Sequence, residues 1–394
     1  MIHLIRLLLI SFVVSIFSAC GGGSSSIATT PDPNPTPEPV ERGSLISANM
    51  ISSARPLLSP YKVDAYKIIY NTINANNKAI TASGLLSIPE KAVGEKSPIL
   101  SYQHGTIFLD VQAPSRSASS IQGINILAGM GYIVSASDYI GYVESSHTIH
   151  PYHHADSLAS ASLDMLKASK VFLGQQDIQI NNQLFLAGYS EGGYATLALQ
   201  KAIQDDPAQA FITTASAAGA GAFDLSETAK TLANQVTNND PSFLSFLIKS
   251  YDTVYSLNKI TEIYQPSFQQ TINTHFDGTH SGGEIDRKLS HTTAELFNPE
   301  MLSTFQGDGS HVLKDKLALN DIYDWKPNAP TRFYHSPNDE VVPYSNAVKA
   351  LQTMQDNGAE NISLSDCSFG SHVACAIPYV FNTVNFFSGI AEDL

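Results

Sequence analysis

Short apolar or alternating runs recur along the chain near 61–73, 79–88, 97–104, 132–138, 184–189, 213–219, 331–336 and 361–365. Their length and polar boundaries predict strands. Between or after them, apolar residues recur at helical spacing near 118–130, 151–173, 191–204, 344–357 and 376–388. Strands alternating with helices predict an α/β fold with a mainly parallel sheet, covered on both faces. Residues 224–325 break that alternation. There Phe243, Leu247, Tyr251, Val254 and Tyr255 repeat at helical spacing, which predicts a mostly helical insertion capping the rest. No internal repeat is visible.

The most informative chemistry sits at one strand-to-helix junction. Gly188-Tyr189-Ser190-Glu191-Gly192-Gly193 contains G-x-S-x-G and follows the apolar run Leu184-Phe185-Leu186-Ala187. Tyr194, Leu197, Ala198 and Ala202 continue at helical spacing. Strand, tight turn and helix are the context of a nucleophile elbow, which lifts a strained serine off the end of a strand. A serine hydroxyl is a weak nucleophile near neutral pH and needs a base and a group to orient it. Both follow in the chain order expected for such an elbow, acid then histidine. Asp339 lies in the turn Ser336-Pro337-Asn338-Asp339-Glu340 after the apolar run 331–336, and His372 lies in Gly370-Ser371-His372, in a loop before the last helix. Asp366 and Glu340 are the competing acids, and His335 is the competing base.

With these residues the chain resembles the α/β-hydrolase superfamily, and within it the lid-bearing secretory lipases and esterases, over roughly residues 60–390. The resemblance implies a Ser190-Asp339-His372 triad. Tyr102-Gln103-His104-Gly105-Thr106 looks like the oxyanion-loop segment, with H-G-T where many esterases have H-G-G-G. Its donor is expected from Gly105 or Thr106, beside the backbone N–H of Glu191. Asp138-Tyr139-Ile140-Gly141-Tyr142, followed by His150-Pro151-Tyr152, is similar to the D-Y-x-G-x-G and H-P-Y stretch of secretory lipases, with Tyr142 replacing a small residue. The implied activity is hydrolysis of small-molecule or lipid carboxylic esters through an acyl-enzyme. It requires no cofactor and no metal.

Composition narrows the picture. The 394 residues are 43% hydrophobic, enough for one large core with an insertion. Asp and Glu total 36 against 22 Lys and Arg, a formal net charge of −14. That balance argues against nucleic acid as a partner. A monomer is expected.

Residues 1–20 read as an export signal: Arg6, the apolar stretch from Leu7 to Phe17, then Ser18-Ala19-Cys20. The apolar run is short for a stable span. Its end resembles a bacterial lipobox, which implies lipidation of Cys20 and an exported lipoprotein, expected at the outer membrane, with plain secretion as the alternative. Residues 21–43, rich in Gly and Ser and then in Pro, read as a tether that holds the 44–394 domain off a membrane. Of the three cysteines, Cys367 and Cys375 then remain, an even pair bracketing His372 in an exported chain. A disulfide between them is expected.

Other readings share these residues. His147, His150, His153 and His154 crowd together, but their spacing matches no zinc pattern well, and a structural role is expected. A serine peptidase or an acyltransferase would use the same triad. A non-catalytic surface binding protein would tend to have lost a triad member, and none is missing.

Overall fold

The computed structural model describes residues 41–394 apart from 368 and 369. The expected signal peptide, Cys20 and the tether up to residue 40 lie outside the described residues. The chain is tied down from its first described residues. Arg42 Nε donates to the buried Asp164 carboxylate at 3.0 Å, and the Gly43 amide donates to the Asn71 carbonyl at 2.8 Å.

One sheet runs through the fold, in the order β1-β2-β3-β5-β4-β6-β7-β8-β9. Its strands are β1 (Leu45–Ala54), β2 (Val63–Ile73), β3 (Ala79–Pro89), β4 (Lys96–Gln103), β5 (Ile133–Ser137), β6 (Gln179–Tyr189), β7 (Thr213–Gly219), β8 (Thr331–His335) and β9 (Ile362–Asp366). The first three strands and the β3–β5 pairing are antiparallel, and every pairing from β5 to β9 is parallel. Helices α1 (Ala118–Ala128), α2 (Ala155–Gln175) and α3 (Glu191–Asp205) precede a helical insertion. Helices α12 (Ser345–Asp356) and α13 (His372–Ser388) follow it.

Strand β6 explains why this core reads as continuous apolar runs. Successive side chains point to opposite faces of a strand. Leu184 and Leu186 pack in one cluster with Phe172 of α2 and Leu199 and Ile203 of α3. Phe185 and Ala187 pack in the opposite one, with Ile124 of α1 and Tyr379 and Phe387 of α13. Both faces are covered, so both sets are apolar. Fully burying a side chain such as Leu186 contributes about 1.5–3 kcal/mol.

The insertion between β7 and β8 holds α4 (Leu225–Asn234), α5 (Pro241–Val254), α6 (Ile260–Ile263), α7 (Pro266–Thr274), α8 (Gly282–Asp286), α9 (Thr293–Leu296), α10 (Pro299–Gln306) and α11 (Val312–Ala318). It is fastened to the segments that follow β4 and β5. The Asp110 amide donates to the Gly278 carbonyl at 2.9 Å. Ser250 Oγ donates to the His150 carbonyl, and the Tyr251 hydroxyl donates to the His153 carbonyl, each at 2.9 Å. Phe246 stacks on Tyr152 with ring centroids 4.7 Å apart.

Candidate active site

The candidate triad and oxyanion residues gather at the carboxyl ends of the parallel strands, where open α/β sheets form their ligand crevices. Ser190 follows β6 directly and has φ +61° and ψ −123°. A non-glycine residue held there stores backbone strain. The strain persists because the turn is clamped from both sides: the Ser190 amide donates to the Gly219 carbonyl at 2.9 Å, and the Tyr194 amide donates to the Ser190 carbonyl at 3.1 Å. Close packing of α3 against β4 requires Gly192. A Cβ there would sit 2.1 Å from the Gln103 carbonyl oxygen.

His372 is the first residue of α13, not part of the preceding loop. Ser371 caps that helix by accepting from the Ala374 amide at 3.1 Å. The His372 ring bridges the other two predicted residues. Its Nδ1 lies 2.7 Å from Asp339 Oδ2 and its Nε2 lies 2.9 Å from Ser190 Oγ. A carboxylate only accepts, so Nδ1 carries the hydrogen and Nε2 is free to accept from the serine hydroxyl. Tyr189 steadies the ring from below: its hydroxyl donates to the His372 carbonyl at 2.7 Å, with ring centroids 5.3 Å apart.

Asp339 Oδ1 accepts from the Val341 and Val342 amides at 2.9 and 2.8 Å. Burial pushes its carboxyl up, but hydrogen bonds from His335 and His372 more than reverse this and hold it well below the usual carboxylate range. The rival acids sit elsewhere. Asp366 accepts from the Tyr344 hydroxyl. Glu340 accepts from the His372 backbone amide at 3.0 Å, at the N-terminus of α13, where negative charge is favoured. His335 is buried against Asp339 and is not placed at the serine.

The expected oxyanion residues frame the serine. Glu191 begins α3, so its amide is one of the unpaired N–H groups of that helix start. Gly105 approaches the elbow from β4: a Cβ on it would lie 3.1 Å from the Tyr189 carbonyl oxygen and 3.9 Å from Ser190 Cβ. Thr106 Oγ1 is 2.9 Å from the Tyr152 hydroxyl, so its side chain is engaged with the H-P-Y segment. Cys367 and Cys375 are joined as a disulfide with Cα atoms 5.3 Å apart, bracketing His372.

Residues 119–386 match the secretory lipase family. The chain belongs to the secretory lipase family. Similar solved structures include the rice cell wall degrading esterase LipA from Xanthomonas oryzae, at 25% identity and a TM-score of 0.80, covering 89% of this chain and 98% of that one. A putative hydrolase from Legionella pneumophila is similar at 27% identity and a TM-score of 0.82, covering 88% and 98%. Candida antarctica lipase A in its closed state shares the fold at 18% identity and a TM-score of 0.69, covering 90% and 84%. No curated protein matches the chain by sequence. The fold is therefore that of the α/β hydrolases, and the family and its esterase neighbours support a carboxylic ester hydrolase. The family's name also favours export, and no described helix is long and apolar enough to cross a membrane.

One buried pairing has no signature in the sequence. The Glu191 side chain turns inward, fully buried, and meets His150 Nε2 at 2.6 Å. Burial pushes its carboxyl up, but His150, then His153 and His104, outweigh this and hold it below the ordinary glutamate value. Among the described residues no three His, Cys, Asp or Glu side chains converge as a metal-binding set. The crowded histidines differ instead in their nearest partners. His150 takes Glu191, His154 caps α2 by accepting from the Ser157 amide at 3.3 Å, and His153 packs edge-on to Tyr152 and Tyr194.

Proposed function

We propose that this protein is an exported serine esterase that cleaves short- to medium-chain aliphatic carboxylic esters through an acyl-enzyme on Ser190. The observation that carries this reading is the single imidazole of His372, within hydrogen-bond reach of Ser190 on one side and Asp339 on the other. Neutral His372 removes the proton from Ser190 as its oxygen attacks the ester carbonyl. Asp339 holds the reactive tautomer and stabilises the imidazolium that forms. The Glu191 amide, with one from the Gly105–Thr106 segment, receives the oxyanion, and each such donor is typically worth about 3–4 kcal/mol. His372 then returns the proton to the leaving alkoxide, and water repeats the sequence on the acyl-enzyme.

The rest of the chain fits a tethered enzyme. Ser18-Ala19-Cys20 and the Pro-rich stretch after it support lipid anchoring through Cys20. The helical insertion supports a cap that selects the acyl group. The Cys367–Cys375 link ties the first turn of α13, which carries His372, to the end of β9.

A fluorophosphonate probe on the purified domain tests the assignment. It labels Ser190 in the wild type and nothing in Ser190→Ala, which stays folded by circular dichroism and loses several orders of magnitude in kcat on p-nitrophenyl butyrate. A label mapped to another residue, or a Ser190→Ala protein that keeps most of its activity, would remove the proposal.

A further inference from the structure

Glu191 supplies the oxyanion-hole amide in the mechanism above, yet its side chain is a fully buried carboxylate. An unpaired charge there would be costly to bury, and it would oppose negative charge developing at its own amide. His150 answers both problems. Its Nδ1 lies 2.7 Å from the Ile140 carbonyl, which can only accept, so that nitrogen carries a hydrogen. Its Nε2 lies 2.6 Å from Glu191 Oε1, and one proton is held between the two atoms. The pair is therefore neutral overall. Glu191 Oε2 has no hydrogen-bond partner among the described residues, so this contact is the carboxylate's one anchor.

The His150 ring cannot easily turn away. Tyr142 and Tyr139 flank it with centroids at 4.8 and 5.8 Å. Its backbone carbonyl accepts from Ser250 Oγ of α5 at 2.9 Å. Gly141, at φ +96°, lets the backbone at 150 come close: a Cβ on that glycine would sit 2.3 Å from His150 Cα.

We propose that His150 is a positioning residue for the ester hydrolysis, holding the Glu191 amide in the oxyanion hole and cancelling the Glu191 charge beside it. The proposal rests on the esterase reading of Ser190. It predicts a loss confined to the transition state, because a displaced amide and an uncompensated charge act where the oxyanion forms and hardly touch the bound ester.

The experiment compares His150→Gln, Glu191→Ala and the double variant His150→Gln/Glu191→Gln with the wild type. Two readouts are used: kcat and KM on p-nitrophenyl butyrate, and affinity for an alkyl boronic acid, which mimics the tetrahedral intermediate. His150→Gln should lose about 10- to 100-fold in kcat and in boronate affinity, with KM within about threefold, by comparison with outright removal of a donor. The double variant should regain at least about fivefold over His150→Gln, since no charge is left unpaired. Glu191→Ala removes the charge and the anchor together and should lose about tenfold on both readouts, which keeps the proposal testable should His150→Gln not fold. Boronate affinity within twofold of wild type in whichever single variant folds would overturn the proposal, as would a double variant no better than His150→Gln. A wild type that takes no fluorophosphonate at Ser190 and hydrolyses no ester would overturn the esterase reading itself. A wild type that does both, with normal variants, would overturn only the role of His150.

Discussion

His335 Nε2 lies 3.2 Å from Asp339 Oδ2, the same oxygen that faces His372 Nδ1 at 2.7 Å. That nitrogen also lies 3.0 Å from the Val342 carbonyl, an obligate acceptor, so it is a donor to both. With the Val341 and Val342 amides on Oδ1, Asp339 is gripped by four donors. The histidine that rivals His372 on sequence grounds is thus a partner of the acid. The grip fixes the carboxylate plane and keeps the carboxyl ionised.

Asp339→Asn should therefore lower kcat by about 10⁴ at neutral pH, because a carboxamide favours the wrong imidazole tautomer. Asp366→Asn and Glu340→Gln should stay within a few fold, since neither carboxylate meets the His372 ring. Steady-state rates on one p-nitrophenyl ester decide this. A crippled Asp366→Asn beside a near-normal Asp339→Asn would reassign the acid.

Two alanine substitutions separate a glycine that the elbow needs from one it does not. Gly192→Ala puts a methyl group 2.1 Å from the Gln103 carbonyl oxygen, against backbone that cannot swing aside. It should cost about 3 kcal/mol or more and disturb the Ser190 turn. Gly174, near the end of α2, faces open space instead. A Cβ there would meet no heavy atom of the described residues within 4 Å, and its φ is not left-handed. Gly174→Ala should stabilise by about 0.5–1 kcal/mol. Urea midpoints read both, and equal midpoints would show that the elbow is looser than its geometry implies.

The strands, the elbow and the order of the three candidate catalytic residues were legible because they depend on local sequence. Periodicity marks β6 and α3, and G-x-S-x-G marks the turn between them. What was not legible depends on distant partners or lacks a buried face. Strand β1 carries no apolar pattern because every one of its residues is exposed or half-buried at the sheet edge, so Ser47, Asn49, Ser52 and Ser53 interrupt it. The start of β6 runs through Asn181-Asn182-Gln183, too polar to read as strand. Helix α13 begins at His372, before the expected 376, because Ser371 caps it there, and it continues through Pro378, where proline normally argues for a boundary. The Glu191–His150 contact joins residues far apart in sequence, and no spacing rule connects them. The one local hint was a glutamate at the first position of a helix flanked by glycines.

Acid should weaken the fold through His153. Burial pushes this histidine down to about 4, with Glu191 opposing and His150 adding to the shift. Its unfolded value lies near 6.5, so between about 4 and 6.5 the unfolded chain binds a proton that the folded chain refuses. Stability should thus fall as pH drops through that window, by roughly 3 kcal/mol for this group alone. Asp321 has the opposite sign: burial raises its carboxyl to about 6, so its contribution falls as pH rises from 3.8. The clean measurement is the difference between the wild type and His153→Asn, a residue that tolerates the φ of +51° found there. Urea midpoints at pH 7.5 and pH 4.5 should drop less in the variant. Parallel drops would mean that His153 does not govern the acid limb.

The insertion should set acyl-chain preference through Phe243 rather than through the deeper residues of α5. Leu247 and Tyr251 share its helical stripe, but both are buried, and the Tyr251 hydroxyl is committed to the His153 carbonyl at 2.9 Å. Tyr251 thus joins the insertion to the 150–154 segment, and neither residue has a free face for a ligand. Phe243 is half-buried, with its ring 5.6 Å from that of Phe108, which follows Gly105 and Thr106 by only a few residues. That aromatic pair lies where the insertion meets the segment that follows β4. Each methylene an acyl chain buries is worth about 0.8 kcal/mol, or roughly fourfold in kcat/KM, until the pocket is full. Removing the ring in Phe243→Ala should make room for longer chains and move the optimum upward on a series of p-nitrophenyl esters. Tyr251→Ala should instead destabilise the protein by about 3–5 kcal/mol and leave the optimum in place. Superimposable profiles for the wild type and Phe243→Ala would show that the insertion does not touch the acyl group, and would favour a polymeric ester or a peptide as substrate.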